Sequence, residues 1–293
     1  MKATLYFRGS LTSCNYDCPY CPFSKNRDSA ATLARDRKQV EAFVDWVREQ
    51  AALGHRLSIF FNPYGEGLIH RWYGKAMIEL SQMQHVEKVA IQTNLSARLD
   101  WTDSLDRRKA AFWATYHPGQ TSEAAFVGRC MELYNKGIPF SVGTVGVREA
   151  FGAIASLRAA LPPDVYVWIN AFKDISGYYT NEERAFLRGM DPHFELNLHD
   201  YESEGRRCDA GEHVFYVQAS GIVKRCYKDR AVIGHLYRDG LEGLSKPRLC
   251  RMACCDCYIG YIHMPELAMN EIYGSSKLER IAAIKTADQN VVF

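Results

Sequence analysis

From the N-terminus to residue 172, short apolar runs alternate with longer stretches whose apolar positions recur at helical spacing. Ala3–Phe7 predicts a first strand. Lys38–Leu53 places Val40, Phe43, Val44, Val47 and Ala51 on one helical face, and Gly54 supplies a C-terminal stop. Leu57–Phe61 predicts a buried strand, His70–Gln84 a helix and Lys88–Thr93 a third strand. Ala111–Thr115, Ile138–Val145 and Val165–Asn170 predict three more strands, with helices over Thr121–Lys136 and Arg148–Ala160. Met77, Met83 and Met131 fall on the helices and read as core. Strands alternating with helices argue for βα units and a parallel sheet. The predicted count suits a partial (β/α)6 TIM-like barrel, short of a full eight-stranded one.

The rhythm changes after about residue 195. Val214–Gln218 and Ile222–Lys224 flank Ala219-Ser220-Gly221 and predict a β-hairpin. A cysteine-dense loop follows at 250–257, and Pro265–Thr286 predicts a C-terminal helix. The expected division is a barrel core over 1–195, a small cysteine-rich β-hairpin domain over 196–262 and a helical tail over 263–293.

Composition narrows the function. The 293 residues are 47% hydrophobic, enough for a substantial core. Lysine and arginine number 36 against 34 acidic residues, a balance that argues against a nucleic-acid partner. No apolar run is long enough to span a membrane, and the N-terminus lacks the pattern of a signal peptide. A cytoplasmic location without a membrane partner is therefore expected. In that reducing setting, clustered cysteines more often bind metal or do chemistry than form disulfides. Of the ten cysteines, only Cys130 stands alone; the rest fall at 14–21 and 208–257.

Directly after the first predicted strand comes Cys14-Asn-Tyr-Asp-Cys18-Pro-Tyr-Cys21. Three thiolates on one tight loop can hold three corners of a cubane iron–sulfur cluster and leave one iron open for chemistry. A zinc site would call for a fourth ligand nearby, and no His or Cys lies between Cys21 and His55. The C-x3-C-x2-C spacing, with aromatic Tyr20 before the last cysteine, resembles the radical S-adenosylmethionine superfamily. The resemblance implies a 4Fe-4S cluster on Cys14, Cys18 and Cys21 that binds S-adenosylmethionine and yields a 5′-deoxyadenosyl radical. It also implies a reducing partner such as flavodoxin or ferredoxin.

Further segments resemble the same family. Tyr64-Gly65-Glu66-Gly67 stands where the family shows Gly-Gly-Glu-Pro, whose Glu receives the methionine amino group. Thr93-Asn94-Leu95 resembles a Thr-Asn-Gly, with Leu95 replacing the Gly. Tyr20, Gly65, Glu66 and Asn94 are thereby expected at the cofactor. His117 reads either as a proton carrier or as a satisfied turn histidine. Thr144, Asn170 and Lys173 end strands five and six, where ribose or substrate contacts form in the family.

The pattern Cys208-x12-Gly221-x4-Cys226, followed by Cys254-x2-Cys257, resembles the twitch subdomain, the short relative of the SPASM domain. It implies one auxiliary 4Fe-4S cluster on Cys208, Cys226, Cys254 and Cys257, with Cys250 or Cys255 as substitutes. A four-cysteine zinc ribbon is the alternative. The implied activity is hydrogen abstraction from a peptide or protein side chain, ending in oxidation or a cross-link. Radical dehydrogenation of a small molecule is a second reading, and a non-enzymatic zinc or iron–sulfur module a third. With the first strand at residue 3, no leader-binding domain is expected ahead of the barrel.

Overall fold

The computed structural model describes residues 1–23 and 26–282. Its elements are β1 (Lys2–Arg8), α1 (Ala30–Glu49), β2 (Arg56–Phe61), α2 (Arg71–Gln82), β3 (Val86–Thr93), β4 (Ala110–Thr115), α3 (Glu123–Asn135), β5 (Phe140–Val145), α4 (Phe151–Ala160) and β6 (Val167–Asn170). There follow α5 (Asn181–Met190), α6 (Phe194–Leu198), β7 (Tyr201–Glu202), β8 (Val214–Gln218), β9 (Ile222–Lys224), β10 (Val232–His235), α7 (Leu236–Leu244), β11 (Cys254–Cys255) and α8 (Met269–Tyr273). Strands β1 to β6 lie side by side in chain order and pair in parallel. This is the partial barrel that the alternation predicts.

Period-two alternation divides each strand between two layers. Leu5, Phe7, Ile59, Phe61, Val89, Ile91, Phe112 and Val142 pack outward against Val40, Phe43, Val47, Met77 and Leu80 of the helices. Phe7 stacks on Phe43 with ring centroids 4.2 Å apart. Burial of each such side chain stabilises the fold by about 1.5–3 kcal/mol. The lone Cys130 is fully buried in this layer, as core. The inward face is aromatic: Tyr6, Phe60, Trp113, Tyr166, Trp168 and Tyr216 line the barrel interior.

Four differences from the sequence expectation have local causes. Helix α1 begins at Ala30, eight residues before the predicted start, because Ser29 caps it by accepting from Thr32 N at 3.2 Å. Helices α5 and α6 follow β6 where no element was predicted, α5 being started by a capping box in which Thr180 accepts from Glu183 N at 3.2 Å. The hairpin β8–β9 forms as predicted, but β8 also pairs in parallel with β1. One continuous sheet therefore runs β10-β9-β8-β1-β2-β3-β4-β5-β6. Finally, the tail is helical only in short pieces. Ala268 (φ 47°) and Gly274 (φ 52°) break it on either side of α8, and residues 283–286 of the expected helix lie outside the described residues.

The end of the described chain enters the barrel. Lys88 donates to Glu279 at 2.7 Å near the start of β3, and Ser141 donates to the Glu279 carbonyl. Arg280 is fully buried, its guanidinium 5.3–5.8 Å from the rings of Trp113, Trp168, Tyr261 and Tyr273. At the opposite end, where β1 to β6 finish, Arg8, Asn62, Asn94 and Asn170 lie at or just past the ends of their strands.

Asp191 ties β6 to this interior. It is fully buried and accepts from Tyr166 OH (2.7 Å), Ile169 N (2.9 Å) and His193 N (2.9 Å). Burial raises its carboxyl to about 6 despite those donors. An unfolded aspartate ionises near pH ~3.9, so the folded state binds this proton more tightly. The proton's stabilising effect is complete below pH ~4 and is lost as the pH rises through about 6, a fall of about 3 kcal/mol. Urea denaturation at successive pH values should show that fall in the native chain and not in Asp191→Asn; parallel pH profiles would refute it.

Candidate functional site

The cysteine loop leaves β1 at its C-terminal end, the side where barrel sites form. Two carboxylates from the α1 region pin it. Asp28 accepts from Thr12 N (2.7 Å), Thr12 Oγ1 (2.7 Å), Ser13 N (2.8 Å) and Ser13 Oγ (3.0 Å). Asp36, fully buried, accepts from Leu11 N (2.9 Å) and Trp72 Nε1 (2.8 Å). Neither was singled out in the sequence. The available signal was Asp28-Ser29 ahead of an apolar run, a helix-start pattern.

Beyond this anchor the loop turns tightly, Cys21 N donating to the Cys18 carbonyl at 3.1 Å. Cys18 is buried, and Cys14 and Cys21 are half-buried. Tyr16 N donates to Cys14 Sγ at 3.4 Å. The outer side of the loop rests on the segment after β4: Asp17 N donates to Gln120 Oε1 at 2.8 Å, and Tyr20 OH shares a proton with His117 Nδ1 at 2.9 Å. Burial lowers His117 to about 4. It is neutral at ordinary pH and supports the loop through Tyr20.

The Gly65-Glu66 turn after β2 meets the loop directly. A Cβ on residue 65 would lie 1.7 Å from the Ser13 carbonyl oxygen, which also accepts from Glu66 N at 3.2 Å. The buried Glu66 carboxylate takes Leu68 N (3.0 Å) and Thr93 Oγ1 (2.7 Å) on Oε1 and Asn94 N (2.6 Å) on Oε2. A carboxylate has about four acceptor positions, so roughly one remains, on Oε2. Asn94 in turn donates to Asn15 Oδ1 at 3.0 Å, with the same nitrogen 3.7 Å from Cys14 Sγ. Leu95, in the place of the family glycine, adopts φ 57°. It keeps the left-handed turn that a glycine would make easily.

The remaining expected residues separate. Thr144 shares its strand face with Phe140 and Val142 and so turns toward the helices, away from the interior. Lys173 is engaged by the His199 carbonyl and Asp200, both at 2.9 Å. Asn170 faces inward with Tyr166 and Trp168. Its Oδ1, together with Arg8 Nη1, Asn62 Oδ1 and Trp113 Nε1, is buried without a protein partner. Four such atoms on the inward side of β1, β2, β4 and β6 fit a polar group held in the barrel.

The second cysteine group lies against β8. Cys208, Cys226, Cys250, Cys254, Cys255 and Cys257 all line one pocket with Tyr216, Tyr227 and Lys228. Gly221 makes the hairpin turn at φ 87°. Burial raises the thiols, Cys208 to about 11 and Cys255 to about 12, so ligation must displace their protons. Among the described residues, no three His, Cys, Asp or Glu side chains converge closely enough to hold a single metal ion. The two cysteine regions meet through Arg8. Its guanidinium lies 4.2 Å from both the Tyr64 and Tyr227 rings, and Tyr227 OH donates to Tyr64 OH at 3.2 Å. Tyr64 precedes the Gly65-Glu66 turn and Tyr227 follows Cys226.

No protein-family model matches the sequence, and no curated protein matches it. Solved structures do. Native anSMEcpe with bound AdoMet is 15% identical, with a TM-score of 0.54 over 82% of this chain and 80% of that one. Its complex with AdoMet and the Cp18Cys peptide is 13% identical, with a TM-score of 0.52 over 82% and 79%. Streptococcus suis SuiB is 10% identical, with a TM-score of 0.56 over 85% of this chain and 67% of that one. These are radical S-adenosylmethionine enzymes, and the chain has their fold.

The contact at residue 65 gives a direct test. Gly65→Ala forces the Ser13 backbone to move and should cost about 1–3 kcal/mol. A lowered denaturant midpoint with unchanged far-UV circular dichroism is the expected result. An unchanged midpoint would show that the loop is not seated as described.

Proposed function

We propose that the protein is a radical S-adenosylmethionine enzyme that abstracts hydrogen from a peptide or protein side chain, ending in oxidation or a cross-link. The observation that carries this is the C-x3-C-x2-C loop, pinned at the strand ends of a partial barrel whose fold matches S-adenosylmethionine-bound enzymes. Cys14, Cys18 and Cys21 would hold a 4Fe-4S cluster, whose open iron and S-adenosylmethionine supply the radical when bound. The chain's own residues do the rest. Asp28 and Asp36 fix the loop's position. Gly65 lets the β2 turn approach it, and Glu66 offers its remaining acceptor toward a cationic amino group. Asn94 holds Asn15 beside Cys14. Tyr20 and His117 brace the outer side of the loop.

The auxiliary site supports oxidation. A fully ligated second cluster takes electrons and does not bind substrate, and a substrate radical must lose one electron to become a closed-shell product. The solved complexes of anSMEcpe with AdoMet and the Cp18Cys or Kp18Cys peptide support a peptide substrate by likeness of fold.

Anaerobic reconstitution should give about eight irons and eight sulfides per chain, as two cubanes require. Cys18→Ala should abolish 5′-deoxyadenosine formation under strong reductant, while Cys226→Ala should retain some cleavage and lose product. A native chain that binds no iron and leaves S-adenosylmethionine intact would overturn the proposal.

A further inference from the structure

The spacing of the second group assigns Cys254 and Cys257 as a C-x2-C pair, but the local backbone favours another choice. Cys254 and Cys255 form β11, which pairs antiparallel with β7, Cys254 opposite Glu202 and Cys255 opposite Tyr201. Side chains directly opposite in a ladder share a face, and neighbours along a strand take opposite faces. Tyr201 packs against the interior aromatic cluster, its ring 5.2 Å from that of Tyr261, while Glu202 is exposed. Cys255 therefore points inward with Tyr201, and Cys254 outward with Glu202.

Burial and packing agree. Cys254 is exposed, whereas Cys208, Cys226, Cys255 and Cys257 are half-buried. Cys208, Cys226 and Cys255 pack against the same interior cluster. The side chains of Cys255 and Cys257 converge on one place, since a Cβ on Gly260 would lie 3.2 Å from Cys255 Sγ and 3.1 Å from Cys257 Cβ. Cys255 also lies within electrostatic reach of Cys257, Cys208 and Cys226. Cys250 is occupied locally, its Sγ 3.5 Å from Ser203 Oγ and 3.9 Å from the Met252 carbonyl. All six cysteines line the pocket, so lining alone does not choose among them.

We propose that the second cluster is ligated by Cys208, Cys226, Cys255 and Cys257, leaving Cys254 outside as an exposed thiol. This rests on the cluster reading above. It replaces a C-x2-C pair by Cys255-x-Cys257 and makes the 254–257 turn present adjacent thiolates from the inner face only.

The test uses the full chain, reconstituted anaerobically. Cys254→Ser should keep both clusters, with iron content and the reduced-state electron paramagnetic resonance spectrum unchanged. Cys255→Ser should lose about half the iron and the second signal, since one of two cubanes is lost. Because Cys255→Ser can also fail to fold, alkylation of the native reconstituted chain gives an independent measure. Mass spectrometry should find Cys254 modified at least tenfold faster than Cys255, Cys208, Cys226 or Cys257. The reverse pattern, iron lost with Cys254→Ser and Cys255 alkylated first, overturns this ligand set while leaving the two-cluster reading intact. A native chain holding only one cluster's iron overturns both.

Discussion

The Ser13 carbonyl occupies the space where a side chain at residue 65 would begin, and the amide of Glu66 donates to it. That backbone-to-backbone contact joins the loop after β1 to the turn after β2. Much of the site's geometry depends on it. The turn places Glu66, whose carboxylate reaches the end of β3 through Thr93 and Asn94, and Asn94 reaches back to the cysteine loop through Asn15. Three adjacent strand ends are thereby closed into one ring of hydrogen bonds around Cys14. Buried charge-assisted bonds of this kind are stronger than neutral ones and costly to break singly. The ring therefore holds its shape as a unit, which suits the proposed role of the loop in presenting three thiols at fixed positions.

The same logic places the second cysteine group. Strand β8 returns to the sheet beside β1, in parallel, with Tyr6 opposite Tyr216. Their rings stack with centroids 4.7 Å apart. Tyr216 lines the pocket of the six cysteines, so the pairing of β8 with β1 sets that pocket against the barrel interior. A hairpin in a separate sheet would need its own interface to achieve this. Here the hydrogen-bond register of one strand pair does it. Arg8, at the end of β1, then lies between Tyr64 from the first region and Tyr227 from the second. A guanidinium 4.2 Å from two ring centroids gains cation–π attraction from each.

Much of this was legible in the sequence because it depends on periodicity. All six barrel strands, α2, α3 and the hairpin fall where apolar spacing predicts them. What escaped depends on long-range partners. Asp28 and Asp36 look like ordinary polar residues near a helix start until Thr12, Ser13, Leu11 and Trp72 are brought to them. Thr144 sits at the end of a strand in the expected place, yet counting strand ends does not fix which side a residue faces. Its parity with Phe140 and Val142 does. The tail misled for a different reason: apolar residues from Pro265 onward are needed by the barrel interior, and Ala268 and Gly274 bend the chain to deliver them there.

Buried polar atoms without protein partners occur along the whole barrel axis. Near the strand starts, Lys88 pairs with one Glu279 oxygen and Arg280 is surrounded by aromatic rings, yet Glu279 Oε2, Arg280 Nε and Arg280 Nη2 are buried without protein partners. Toward the strand ends, Arg8 Nη1, Asn62 Oδ1, Trp113 Nε1 and Asn170 Oδ1 are buried without protein partners. Burying such atoms unpaired costs about 1–3 kcal/mol each. The fold carries that cost on both sides, and its own C-terminal segment fills the side away from the cysteine loop. Both donors and acceptors are among the four, so the group that satisfies them must itself be mixed in hydrogen-bonding character.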